Sequence, residues 1–436
     1  MLLLGGKYSW CKRHAGCGDD REGETMKVMI AGGGVGGLTL ALMLQERGIE
    51  ARVFEQSREV RELGVGINTL PHAIAELEAL GLLPALDAVA VRTRRLIYKT
   101  GQGLDIVAQP RGLWAGAEAP QFSIHRGRLQ KVIHDAVIDR LGPEAVVTDR
   151  RLVSFEDTGA GVRAKFEARD GTRYEQEADI LVGADGIHSA VRAHYYPDQG
   201  PPSWNGVLMW RGAAWWPQFL DGQSMIVAGG FKHKLVLYPI AHDPDRPGEA
   251  LTNWVVCSQE GDGATPIPGR DDWSRRAPVE EALAKAEGHL EVPETDIMAL
   301  IRATEEIFVY PMCDRDGLPR WSHGRVTLLG DAAHPMYPVG SNGASQAILD
   351  ARDLSDRLAK GGDPVEILAA YDAARRPATA AIVEANRKGG PEGVIDFVEA
   401  RAPEGYADVH DVASEEELRA IVGDYEVLQV AGRATG

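Results

Sequence analysis

The sequence predicts an α/β protein: a Rossmann-like unit with a parallel sheet, a separate and largely antiparallel sheet, and a helical C-terminal region. Three observations predict it. A glycine-rich turn, Gly32–Gly37, stands between a short apolar strand and a helix. Five of the nine tryptophans (Trp204, Trp210, Trp215, Trp216 and Trp254) cluster among β-rich runs. A second buried-strand run, Val326–Gly330, appears late in the chain and leads into another glycine-rich loop and a long helix.

Composition narrows the field. A chain of 436 residues suggests two or three folding units. Hydrophobic residues at 44% and charged residues at 25% exclude wholesale disorder. A formal net charge of −17 argues against nucleic acid and against an anionic membrane surface, because both would repel the average surface. Four cysteines without a CxxC pair disfavour a disulfide scaffold, a zinc knuckle and a dithiol redox centre. These features point to a soluble cytoplasmic protein.

Residues 1–25 read as a flexible extension: they hold a polar run, Asp19–Thr25, and no apolar stretch beyond Leu2–Leu4. Val28–Leu44 carries no charge, close to the roughly 18 residues of a membrane-spanning helix. Its packed glycines would break such a helix, so a strand (Lys27–Ala31), a turn and a helix (Val35–Arg47) account for it better. Gly48 ends that helix and Ala51–Glu55 forms the next strand, which makes a β–α–β unit with a right-handed crossover. A helix is expected over Arg126–Leu141, then a hairpin of Arg151–Asp157 and Val162–Arg169, then a buried strand, Asp179–Gly183. Gly206–Trp216, Lys234–Ile240 and Leu251–Cys257 supply the antiparallel sheet. From Ala344 the apolar positions Ala347, Ile348, Ala351, Leu354 and Leu358 trace one helix face. Further helices follow, expected to break at Pro377 and Pro391, with an acidic helix near Ser414–Val422.

Two constellations carry chemistry. In Gly32-x-Gly34-x-x-Gly37 the first glycine makes the tight turn, the second lets the backbone approach a pyrophosphate, and the third permits close helix–strand packing. The pyrophosphate would meet the free N–H groups at the helix start. Glu55, closing the second strand, is placed to accept from a ribose diol. This fingerprint leaves NAD and FAD both open. The second constellation is Gly330-Asp331-Ala332-Ala333-His334-Pro335, followed by Pro338, Gly340, Ser341, Asn342 and Gly343 before a helix. An aspartate after a buried strand can bind a ribitol or ribose hydroxyl of a long dinucleotide, and the loop brings backbone N–H groups to another part of it.

GGGVGG (32–37), ADGIHSAVR (184–192) and GDAAHP (330–335) resemble the class A flavoprotein monooxygenases, the p-hydroxybenzoate hydroxylase-like family. The resemblance runs from Lys27 to about Arg376. LGVGIN (63–68), SIHRG (123–127), MWRG (209–212) and YPVGSNGASQAILD (337–350) are similar to the phenazine-modifying members. It implies a Rossmann-like FAD-binding domain (26–95, 120–200 and 305–360) interleaved with a β-sheet substrate domain (96–119 and 201–304), then a helical region, 361–436. By this likeness Gly32, Gly34, Gly37 and Glu55 hold the adenosine diphosphate half of FAD, Arg126 contacts the cofactor, and the backbone near Arg150 lies at the adenine end. Asp331 holds the ribityl–pyrophosphate region. Gly340, Ser341, Asn342, Gly343 and Ala344 face the flavin pyrimidine ring, and Val65 and Gly66 pass the isoalloxazine. Asp185 orders the pyrophosphate loop or merely caps its turn. Pro338 stands on the oxygen-transferring side of the flavin as the catalytic candidate.

Trp210, Arg211, Tyr238 and Trp254 are candidate substrate contacts, although strand aromatics also serve as core and Arg211 could be a structural ion-pair partner. His334 reads as a packed, hydrogen-bonded histidine. The implied activity is hydroxylation of an aromatic or heteroaromatic small molecule, with O2 and NAD(P)H consumed, through a flavin C4a-hydroperoxide. FAD is expected to bind without a covalent link, and NAD(P)H only transiently, since a second Rossmann fingerprint is missing. The alternatives are a flavin-binding redox sensor without turnover, or an epoxidase or dehydrogenase on the same fold.

Overall fold

The structure is a computed structural model that describes residues 26–59, 65–264 and 275–430. The extension 1–25 lies outside the described residues, as do Leu63 and Gly64 of the LGVGIN run. The chain opens with β1 (Lys27–Ala31), α1 (Val35–Glu46), β2 (Glu50–Phe54), β3 (Gly66–Thr69), α2 (Pro71–Ala79), α3 (Leu83–Asp87), β4 (Ala90–Arg92), β5 (Arg95–Lys99), β6 (Asp105–Pro110), β7 (Phe122–His125) and α4 (Arg126–Leu141). It continues through β8 (Val146–Val147), β9 (Arg151–Asp157), β10 (Val162–Glu167), β11 (Arg173–Ala178), β12 (Ile180–Gly183), α5 (Ala190–Tyr195), β13 (Ser203–Pro217), β14 (Ser224–Ala228), β15 (His233–Ala241) and β16 (Glu249–Gln259). The remainder is α6 (Val279–Ala286), α7 (Ile297–Arg302), β17 (Phe308–Asp314), β18 (Val326–Leu328), α8 (Gly343–Ala359), α9 (Pro364–Arg387), α10 (Gly393–Arg401) and α11 (Glu415–Val430).

Among the described residues the nucleotide-binding half is a parallel sheet in the order β18-β12-β1-β2-β8. Its central strand, β1, buries Val28, Met29 and Ile30, as a parallel strand covered on both faces must. Helix α1 is buried from Gly36 to Leu44 and packs against both α4 and α8. Burial on all sides explains the charge-free Val28–Leu44 stretch without a membrane. No helix among the described residues is long and apolar enough to cross one.

The second large sheet has the order β17-β13-β16-β15-β14-β5-β6 and is antiparallel except for the β14–β5 pair. β17 corrects one boundary: the resemblance implies a nucleotide-binding segment that begins at 305, yet Phe308–Asp314 is an edge strand of the antiparallel sheet. Its alternation gives the reason, since Val309 joins the core beneath α6 and α7 while Met312 joins a cluster on the opposite face.

The other correction concerns Pro377, which does not break a helix but lies inside α9. A proline there typically costs about 3 kcal/mol. Tertiary packing offsets it, with Tyr371, Ile382 and Val383 buried and Arg375 in a buried ion pair with Asp350. Pro391 does interrupt the helices, in a 3-10 turn between α9 and α10. Helices α10 and α11 then cover one part of the large sheet, with Val394, Val398, Leu418 and Val422 packed on Leu96, Met225, Val227 and Ile240.

Candidate active site

The glycine turn after β1 is shaped by its own neighbours. A Cβ on Gly32, whose φ is +115°, would lie 2.2 Å from the Ala184 carbonyl oxygen, and one on Gly37 would lie 2.2 Å from the Gly32 oxygen. A Cβ on Gly34 would meet nothing within 4 Å. The first and third glycines are therefore imposed by the fold, while the second borders open space at the start of α1. Glu55, one residue past β2, accepts from Gly33 N–H (2.7 Å) and Ser57 N–H (2.8 Å). Arg150 N–H donates to the Glu55 carbonyl (2.8 Å), and its guanidinium stacks 3.5 Å over the Tyr174 ring. Gln130 on α4 also ties the turn, donating to Gly33 O at 2.7 Å; sequence reasoning missed it because a glutamine on a helix face carries no local signal.

Asp185 caps its turn. Its Oδ2 accepts from Ala190 N–H at 2.7 Å, while Oδ1 is buried with no partner among the described residues. Burial pushes this carboxyl above its ordinary range, against the opposing bonds from Ser189 and Ala190. The turn-capping role is thus the one visible in the geometry.

The second loop grows out of β18. Gly330 N–H donates to Asp350 Oδ2 (3.0 Å), and the same oxygen meets His334 Nε2 at 2.5 Å. Arg375 Nε holds the other Asp350 oxygen at 2.8 Å. Burial alone would raise the Asp350 carboxyl, but His334 and Arg375 outweigh it and hold the group down to about 2. His334 is a buried structural partner, as its sequence context suggested. Asp331 is exposed beside the start of α8, with Oδ1 3.9 Å from where a Cβ on Gly343 would stand. Gly340 and Ser341 both take left-handed backbone, at φ +63° and +60°, and Asn342 is fully buried.

Hydrogen bonds and packing bring these parts together. A Cβ on Gly36 would collide with Leu329 and Ala347, so α1 and α8 cross closely. Arg192, from the ADGIHSAVR run, donates to Ala332 O and Ala333 O at 3.2 and 2.9 Å. Leu70, just after β3, donates its N–H to Ser345 Oγ of α8 at 3.1 Å. The open space at Gly34, the acidic residues Glu55 and Asp331, and the unpartnered Asp185 oxygen fit an elongated dinucleotide.

The large sheet meets this assembly at Gly66. Asn253 Oδ1 accepts from Gly66 N–H (2.8 Å), Arg211 Nη2 donates to Gly66 O (2.8 Å), and a Cβ on Gly66 would lie 2.7 Å from Tyr238 Cε2. Arg126 N–H donates to Val65 O at 3.0 Å. Burial raises the Tyr238 phenol to about 12, with Arg211 opposing. Arg211, Tyr238 and Asn253 therefore share the inner face of the sheet.

Trp210 and Trp254 do not, and both leave the set of substrate contacts. Trp210 Nε1 bonds Glu281 of α6 (3.1 Å) and Trp254 Nε1 bonds Thr304 (2.9 Å), on the outer face beneath α6 and α7. Strand geometry requires this, because Trp210 and Arg211 are consecutive and must point to opposite faces. The same alternation, counted from Trp254, would have identified Asn253. On the inner face, a cavity of about 340 Å³ is lined by Val207, Lys234, Cys257 and Met312, by Tyr337 and Val339, and by Arg387, Glu392 and Asp396 of the C-terminal region.

Known proteins match this chain over most of its length. The FAD binding domain family matches residues 25–386. Phenazine 1,6-dicarboxylic acid hydroxylase PhzS of Lysobacter antibioticus is 46% identical over 368 residues, covering 83% of this chain and 89% of that protein. A salicylate hydroxylase of Pseudomonas putida is 31% identical over 375 residues, covering 81% and 82%. Among solved structures, Klebsiella pneumoniae HpxO complexed with FAD and uric acid shares the fold with a TM-score of 0.69 at 22% identity, covering 92% of this chain and 95% of that one.

Proposed function

The chain belongs to the FAD binding domain family, and on that premise we propose that it hydroxylates a fused, nitrogen-containing aromatic acid on the inner face of its large sheet. It is an FAD-dependent monooxygenase of the aromatic hydroxylase kind, an oxidoreductase that uses O2 and NAD(P)H. The redox-sensor alternative is not favoured, since the relatives are hydroxylases. The finer substrate class is supported by the 46% identity to a phenazine dicarboxylic acid hydroxylase.

The carrying observation is the cavity of about 340 Å³ bounded by the inner sheet face, by Tyr337 and Val339, and by Arg387, Glu392 and Asp396 of the C-terminal region. That volume lies at the lower end of small-molecule sites, enough for one compact ring system. FAD, when bound, would supply the redox chemistry, taking two electrons from NAD(P)H and passing them to O2. The residues of the chain hold and exclude. Gly34 gives the dinucleotide's pyrophosphate access to the N–H groups that start α1. Glu55 and Asp331 are the acceptors for its sugar and ribityl hydroxyls. Arg211, Tyr238 and Asn253 fix the backbone of Gly66, which in this reading passes the isoalloxazine. Met209, Val255 and Val339 form an apolar cluster beside Pro338 that keeps water from the reacting ring.

The test is a panel of phenazine carboxylates, quinoline acids, salicylates and simple phenols, each incubated with enzyme, FAD and NAD(P)H. Fused nitrogen heteroaromatic acids are expected to accelerate NAD(P)H oxidation and to gain one oxygen atom by mass spectrometry, with label from 18O2. Productive turnover with single-ring phenols alone would overturn the substrate class.

A further inference from the structure

The family match ends at residue 386, yet the chain returns to the second glycine loop well beyond that point. Helix α11 is pinned to the sheet domain by Leu418 and Val422, packed on its inner face, and by Glu426, paired with Arg111 at 2.7 Å. Its last turns then reach the loop. Tyr425 OH accepts from Asn342 Nδ2 at 2.7 Å and donates to Asn386 Oδ1. Asn386 in turn donates to Tyr337 O at 3.0 Å. Gln429 Nε2 donates to Gly340 O at 2.9 Å, and the Gln429 carbonyl accepts from Gln346 Nε2 at 3.0 Å. Tyr425, Asn342, Asn386, Gln346 and Gln429 are all buried, so water does not replace these bonds. Steric fit adds to them: a Cβ on Gly340 would stand 2.3 Å from Tyr425 Cε1.

We propose that α11 is a clamp on the flavin-facing loop, in which Tyr425 and Gln429 act as positioning residues that hold the backbone of Gly340–Gly343 in the shape that meets the cofactor ring. The amide of Asn342 has only one tenable orientation. Its Nδ2 lies 3.2 Å from Gly340 O, which can only accept, so the nitrogen must face that way. Tyr425 takes the other amide proton and locks the choice. Asn342 Oδ1 is left buried without a partner among the described residues. Because the chain alone buries that oxygen, the amide acts inward, on α11, and the loop meets the cofactor through the backbone that this amide and Gln429 hold. The inference rests on the reading that Gly340–Ala344 meets the flavin ring.

The experiment titrates FAD into apoprotein of wild type, Asn342→Ala, Tyr425→Phe, Gln429→Ala and the Asn342→Ala/Tyr425→Phe double variant, recording the bound-flavin absorbance spectrum and the melting temperature of each apoprotein. Asn342→Ala and Tyr425→Phe are each expected to weaken FAD about tenfold, or about 1.4 kcal/mol. The double variant is expected to be no weaker than Asn342→Ala, because both act through one bond. Gln429→Ala is expected to weaken FAD by several fold and supplies an independent arm should Tyr425→Phe fold poorly. A purely structural helix would lower the apoprotein melting temperature and leave FAD affinity and spectrum unchanged, which overturns the clamp. If Asn342→Ala weakens FAD while Tyr425→Phe and Gln429→Ala do not, the clamp fails and the loop placement stands. If none of them alters FAD affinity, the loop placement itself is wrong.

Discussion

The glycine turn after β1 and the glycine loop before α8 are similar in composition but are held in different ways. The first is shaped by strands that pair directly: Gly32 abuts Ala184 at the end of β12, and Glu55 at the end of β2 takes the Gly33 N–H. The second is shaped from a distance, by Arg375 and Asn386 of α9 and by Tyr425 and Gln429 of α11. A turn built from adjacent strands carries its geometry in a short motif. A loop braced by later helices carries only its permissive residues locally, and the rest of its specification is spread over most of a hundred residues.

The largest effect is expected in the first turn. Gly32→Ala would place a Cβ against the Ala184 carbonyl on a left-handed backbone, costing about 4 kcal/mol. Thermal unfolding of the apoprotein will show it before any cofactor is added. Gly34→Ala is the matched contrast, because its Cβ meets only open space. It is expected to leave apoprotein stability within about 0.5 kcal/mol of wild type while FAD affinity falls. Equal damage to stability by both would remove the distinction between imposed and ligand-facing glycines.

In the second loop the corresponding test is remote. Asp350→Ala leaves Arg375 buried without its carboxylate, though still bonded to Gln346 Oε1 at 2.7 Å, and is expected to cost about 3 kcal/mol. The pH dependence follows from the depressed carboxyl. With a folded value of about 2, below the ordinary 3.8, the Asp350 contribution is complete above pH 4 and is lost as pH falls from 4 towards 2. Acid unfolding followed by circular dichroism is expected to lose this component of its steepness in Asp350→Asn. An unchanged acid profile would mean that the loop is not braced through this group.

A smaller effect separates the two faces of the large sheet. Trp254→Phe removes the bond to Thr304 on the outer face and is expected to cost about 1 kcal/mol of stability, without changing the ratio of product to NAD(P)H consumed. Tyr238→Phe on the inner face is expected to do the reverse, raising the share of H2O2 released. A change in coupling in Trp254→Phe would return the outer face to consideration as part of the substrate site.

The same contrast explains what was legible in the sequence. β1, the Gly32–Gly37 turn, α4 and the hairpin of β9 and β10 were readable because periodicity and turn residues are local. Composition groups Trp210 and Trp254 with Arg211 and Tyr238, although strand alternation sends them to opposite faces. Asn253 and Gln130 went unnoticed because single amides gain meaning only from the backbone groups they meet. Pro377 reads as a break in the sequence because its local cost is real, while the buried contacts of α9 that offset it are tertiary. The acidic helix near Ser414 was visible, but not its continuation to Tyr425 and Gln429 over the glycine loop.

The smallest expected effect asks whether the second loop's strain is incidental or used. Ser341 sits at φ +60°, where a residue with a Cβ typically gives up about 1 kcal/mol relative to glycine. Ser341→Gly removes that strain but also loosens the unfolded chain, which returns about 0.5–1 kcal/mol to the unfolded side. The apoprotein is therefore expected to change in stability by no more than about 0.5 kcal/mol. FAD binding is the informative measurement. If bonds from Asn342, Tyr425 and Gln429 fix the loop, they hold it equally well with glycine at 341, and FAD affinity in Ser341→Gly will match wild type. If affinity drops severalfold, the serine's restricted backbone is itself part of the preorganisation, and the second loop would be specified locally after all, as the first one is.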